Sequence, residues 1–179
     1  MKCKLLYALC LCLGLNLHLT HTNLSACSNS SSLTSVHSYR YHYKMWLPLY
    51  EIRLKKPKGI PSDQLFNGEY PFTLEFTYLR AIEKSLIVRS SEKALAANLD
   101  TEALKVIQPA VDALNRAYIS VEKKDESAFI YCPNHGTDFY LNGNLKETIE
   151  DKRFPDRYFR IWFGDKPLSK ALKAQLLQI

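Results

Sequence analysis

The sequence has no apolar run long enough to span a bilayer. A transmembrane helix needs about 20 apolar residues, whereas Leu5 to Leu19 is shorter and is broken by Asn16 and His18. Blocks of like charge are also missing: the formal charge of +6 is spread along the chain. Such a distribution describes a solvated surface and excludes a nucleic-acid footprint, which would concentrate cations on one face. No GxSxG, phosphate loop or HExxH occurs, so three common catalytic frameworks are excluded. His135 has no second His or Cys beside it, and His37 and His42 are isolated. No metal site or cofactor is expected from that pattern.

What is present begins with export. Lys2 and Lys4 precede the apolar run, and the polar Thr20-His21-Thr22-Asn23 follows it. A basic start, a short apolar core and a small-residue exit form a signal peptide, expected over residues 1–26. The exit Leu24-Ser25-Ala26-Cys27 resembles a bacterial lipobox. Cys27 is therefore the expected lipidation site and membrane anchor, and Ser28 in place of Asp points to the outer membrane on the periplasmic side. Cys3, Cys10 and Cys12 would leave with the signal and Cys27 would carry lipid, so only Cys132 would remain. An internal disulfide is then excluded, and Cys132, in the apolar run Phe129 to Cys132, reads as an inert buried thiol. The mature chain of about 150 residues is the size of one domain.

Residues 27–38 read as a Ser-rich tether, and 39–179 as the folded domain. From Tyr39 to Leu54 aromatic and β-branched residues favour half-buried strands, with Pro48 marking an edge or a bulge. Phe72 to Tyr78 alternates strictly, with Phe72, Leu74, Phe76 and Tyr78 on one face. Helical spacing runs from Ile82 to Leu99. A second helix starts at the Asp100 or Thr101 cap and should bend or split at Pro109. Ser127–Pro133 and Thr137–Leu141 form a hairpin about Asn134-His135-Gly136. Asn142-Gly143 then turns the chain into Leu145–Ile149. Helices over Asp151–Phe163, stopped by Gly164, and Leu168–Leu177 complete an α+β domain, a mainly antiparallel sheet covered by helices.

Four stretches carry a family resemblance: Tyr50-Glu51-Ile52-Arg53-Leu54, Leu74 to Arg80, Gly136 to Gly143, and Phe159 to Gly164 with Lys166-Pro167. In that order they resemble the chalcone isomerase-like family, in its bacterial exported branch. The resemblance implies an open-faced β-sandwich, a large antiparallel sheet with helices layered on one side. The family's plant enzymes close a chalcone by intramolecular addition, using an arginine, a threonine and a tyrosine around a developing enolate. On this chain the threonine position falls on Tyr50, the arginine position near Ser38 with Arg40 the nearest candidate, and the helical polar residues have no counterpart.

The non-catalytic, fatty-acid-binding members resemble this chain in having tyrosine in place of that threonine. The resemblance therefore implies a cleft for a small apolar carboxylic acid, with Arg40 and Tyr50 on the head group. Ten residues apart, the two are expected to share a face, and Arg53 to point away from Tyr50. An intramolecular lyase or isomerase, and an envelope protein acting through interactions without a ligand, are the alternatives. A filled interior would favour the last. Trp162 is expected to anchor the core, and Arg80 to pair with Glu75 or another acid.

Overall fold

A computed structural model describes residues 33, 35–44, 46–62 and 64–179. The expected signal peptide, the lipobox with Cys27 and most of the tether lie outside the described residues. Six strands form one sheet in chain order: β1 (Ser35–Tyr43), β2 (Leu47–Lys56), β3 (Phe72–Tyr78), β4 (Glu126–Cys132), β5 (Gly136–Leu141) and β6 (Asn144–Ile149). Every neighbouring pair is antiparallel. Helices α1 (Lys84–Asn98) and α2 (Thr101–Ala117) connect β3 to β4, and α3 (Phe154–Tyr158), α4 (Arg160–Phe163) and α5 (Lys170–Leu177) follow β6. The α+β open-faced arrangement expected from the sequence is what the chain adopts. Among the described residues no helix is long and apolar enough to cross a membrane.

Register carries the alternation of each strand across the whole sheet. Tyr50 pairs with Tyr78, Ile52 with Phe76 and Leu54 with Leu74, and Leu74 pairs in turn with Phe129, which faces Phe139. These residues are buried, because side chains two apart share a face and cross-strand partners stand side by side on it. The intervening residues form rows on the opposite face: Arg40–Glu51–Thr77–Glu126 and Ser38–Arg53–Glu75–Ala128–Tyr140. A bulge between Tyr41 and His42, opposite Pro48, accommodates the ring that cannot donate to the ladder.

Turn chemistry fixes the later hairpins. Asn142 and Gly143 both take positive φ, 50° and 75°, the conformation a two-residue hairpin turn requires. At Gly136 a β-carbon would lie 2.3 Å from the Ile149 carbonyl oxygen, so no other residue fits there.

Four expectations need correction. The sheet starts at Ser35, so the end of the Ser-rich stretch is strand rather than tether. Helix α2 runs through Pro109 without splitting. Pro109 is exposed while Ile107, Val111 and Leu114 are buried; the apolar stripe holds the helix, and the carbonyl left without its N–H partner can turn to water. The single helix expected over Asp151–Phe163 is two short ones, meeting at Phe159. Cys132 is disulfide-bonded rather than an inert thiol. As expected, Asp100 caps α2, its carboxylate accepting from the Ala103 amide at 2.7 Å.

Candidate functional site

Tyr50 lies under the helices. The alternation of β2 turns it inward with Ile52 and Leu54, where its ring stacks on Tyr41 at 5.0 Å and meets Phe76 edge-on at 5.3 Å. Its hydroxyl accepts from the Trp162 indole N–H at 3.3 Å, which makes Trp162 the core anchor the sequence suggested. Further hydroxyls sit in the same layer: Tyr78 bonds Ser127 at 3.0 Å, and Tyr118 bonds Tyr158 at 2.7 Å. Burial pushes all four phenols above their ordinary pKa, so they remain neutral donors and acceptors for one another. Phe76, Phe129, Phe139, Phe159 and Trp162 fill the space around them. This layer is a packed aromatic core whose four phenols are hydrogen-bonded.

Arg40 lies on the other side of the sheet. The register sets Tyr41 against Tyr50 and Arg40 against Glu51, and the guanidinium donates to the Glu51 carboxylate through Nε at 3.0 Å and Nη2 at 2.5 Å. The structure therefore does not bring Arg40 and Tyr50 together. Equal parity holds at the turn, where Tyr43 pairs with Leu47 and His42 with Pro48. It fails beyond the turn because the bulge between Tyr41 and His42 adds one residue to β2, so that Tyr41 pairs with Tyr50. Arg53 points away from Tyr50, as expected, and so shares the face of Arg40.

That open face holds a groove of about 640 Å³, within the range of about 300–1,000 Å³ typical of small-molecule sites. Its two sides differ. On β1–β3 stand Arg40, Glu51, Arg53, Lys55 and Glu75; on β4–β5 stand Ala128, Ile130 and Tyr140, with Glu126 and Ser127 beside them. Glu75 is shared: Lys55 Nζ donates to one oxygen at 2.5 Å and Arg53 Nη1 to the other at 3.5 Å. Glu75 thus pairs with Arg53 and Lys55 rather than with Arg80. Arg53 is the most loosely held cation of the groove, with one long contact and a side chain 54% exposed, so most of its five donors face water. Sequence reasoning missed Arg53, Lys55, Ile130 and Tyr140 as site residues. Their signal was the strand alternation itself, read for the face opposite the apolar one.

His135 bonds the buried Asp138 at 3.0 Å, and the Thr148 hydroxyl donates to the same oxygen at 2.7 Å, a local tie between the β4–β5 turn, β5 and β6. Among the described residues no group of His, Cys, Asp and Glu could hold a metal ion.

Comparison with known proteins now bears on the fold. The family model described as chalcone isomerase-like matches residues 37–178. The chain belongs to the chalcone isomerase-like family. Among solved structures, an Arabidopsis thaliana fatty-acid binding protein superposes with a TM-score of 0.57 at 9% identity, covering 80% of this chain and 83% of that one. At that identity the likeness is one of fold. No curated protein sequence matches the chain. Within the chalcone isomerase-like fold, Tyr50 is walled in by Tyr41, Phe76, Tyr78 and Trp162, and Arg40 is directed to the opposite face.

Proposed function

We propose that the protein is a non-catalytic, exported member of the chalcone isomerase-like family that binds a small apolar carboxylic acid of the fatty-acid type. The observation that carries this reading is the groove on the open face, where Arg40, Arg53 and Lys55 stand among the charged side chains of β1–β3 and Ala128, Ile130 and Tyr140 line β4–β5 beside Glu126. A carboxylate gains charge-assisted, bidentate bonds from a guanidinium, and Arg53 has donors to spare for it. Arg40 stands in the neighbouring row, and the tail lies along Ala128, Ile130 and Tyr140. The fatty-acid binding protein of similar fold supports the ligand class. Catalysis of the chalcone type would need an arginine and a hydroxyl converging on one substrate, and here those groups stand on opposite faces.

The test is calorimetric titration of the delipidated protein with fatty acids of increasing length. Losing a hydrogen bond to a charged group costs about 1.5–3 kcal/mol, or roughly ten- to hundred-fold in affinity. Arg53→Ala should weaken binding by that factor and Arg40→Ala by less, since Glu51 already engages it. Ile130→Asp should weaken long acids more than short ones. Tyr50→Phe should leave affinity unchanged. Loss of binding in Tyr50→Phe, with Arg53→Ala unaffected, would move the ligand under the helices.

A second reading, an envelope protein acting through interactions without a ligand, is favoured by the filled aromatic layer. Native mass spectrometry separates the two: no bound acid at any chain length supports this second reading.

A further inference from the structure

The first acidic residue in the chain is Glu51. Residues 1–50 contain Lys2, Lys4, Arg40 and Lys44 and none of the 18 Asp and Glu. This acid-free stretch ends in the β1–β2 hairpin, and two aromatic side chains stand out in solvent at its tip: Trp46 is 72% exposed and Tyr43 48%. Lys44 sits between them at φ 50°, its ammonium 5.5 Å from the centre of the Tyr43 ring. The other tryptophan, Trp162, is buried, so the exposure of Trp46 is a property of the tip.

We propose that this tip docks on an anionic lipid surface, with Trp46 and Tyr43 entering the headgroup boundary and Lys44 meeting lipid phosphate. The chemistry of the tip selects that occupant. Trp and Tyr combine an apolar body with a polar handle and concentrate at membrane–water interfaces. A lysine without an acid on its own hairpin arm is attracted to an anionic leaflet. A protein partner built around an acidic peptide would satisfy Lys44 but would leave the two exposed rings without a half-wet environment.

The experiment uses the full chain with phosphatidylcholine vesicles carrying bromine-labelled acyl chains, with and without phosphatidylglycerol. The N-terminal apolar run could hold the chain on vesicles by itself, so quenching of tryptophan emission is read rather than sedimentation. The expected result is a blue shift and bromine quenching on the anionic vesicles, both lost in Trp46→Phe because Trp162 is out of reach. Lys44→Glu should weaken tip engagement at least about five-fold, the factor for one cation near an anionic surface. Absence of quenching on anionic vesicles, or equal quenching in Trp46→Phe, overturns the proposal. Equal quenching on neutral vesicles, undiminished in Lys44→Glu, removes its anionic part. A blue shift that rises with protein concentration without vesicles shows the tip covered by a second copy, and overturns it too. None of these outcomes depends on whether the groove binds an acid.

Discussion

Phe129 and Ile130 are neighbours in β4 and belong to different environments. Phe129 faces the helices, 2% exposed and in ring contact with Phe139 at 5.0 Å and Phe159 at 5.5 Å. Ile130 faces the open groove beside charged side chains. The same division runs along β2 and β3: Tyr50 against Glu51, Ile52 against Arg53, Leu74 against Glu75. One face is closed by helices, and its phenols bond neutral groups: Tyr78 with Ser127, Tyr118 with Tyr158 and Tyr50 with the Trp162 indole, while the buried Thr137 hydroxyl has no hydrogen-bond partner. The other is open, and its polar atoms are charges whose partners are exchangeable. Stability is concentrated on the first face, and the capacity to take a ligand on the second.

Alkali should break the comparison most sharply. The phenols of Tyr50, Tyr78, Tyr118 and Tyr158 are held above their ordinary pKa by burial. A raised folded-state pKa means that the unfolded chain loses these protons first. The stabilisation is whole below about pH 10, the unfolded value, and declines as pH rises through it toward the folded values. Each tyrosine contributes a slope of about 1.4 kcal/mol per pH unit in that window. Four together should produce abrupt unfolding, with tyrosinate absorbance appearing in step with loss of helix signal. Gradual ionisation without unfolding would show that the layer is open to water.

Removing one ring is the next largest effect. Phe129→Ala should cost about 3–5 kcal/mol in denaturant unfolding. Ile130→Ala, one residue away, should cost well under that, since its side chain is only partly buried. Equal costs would mean that the groove face is as tightly packed as the helix face.

The smallest effect belongs to the ion pairs of the open face. Glu75→Gln removes the partner of both Arg53 and Lys55, yet all three side chains are at least 30% exposed. The expected loss is below about 1 kcal/mol and should shrink with added salt. If the groove takes an acid through Arg53, this substitution should also strengthen binding, because it frees the guanidinium.

Much of this architecture was legible beforehand. The alternation of Phe72 to Tyr78, the Asn142-Gly143 turn and the Asp100 cap are local signals, each enforced by backbone geometry within a few residues. The α2 helix shows the limit: Pro109 carries a local breaking signal, but burial of Ile107, Val111 and Leu114 against the rest of the fold outweighs it. The break at Phe159 is similar, since Tyr158, Phe159 and Trp162 all reach the same aromatic layer and the chain bends to seat them.

The candidate site was legible only in its residue types. An arginine and a tyrosine in the first hairpin were singled out, and both are where their strands put them. Strand periodicity determined which side chains of β1 share a face, and separately which side chains of β2 do. The side of Arg40 relative to Tyr50 was decided by the bulge at Tyr41/His42, which shifts the pairing by one residue, because register across a hairpin depends on such irregularities and on long-range burial rather than on spacing in the chain. The sequence by itself determined two faces, one aromatic and one charged. Only the tertiary structure decided that the helices cover the aromatic face, so that the groove remains on the charged one.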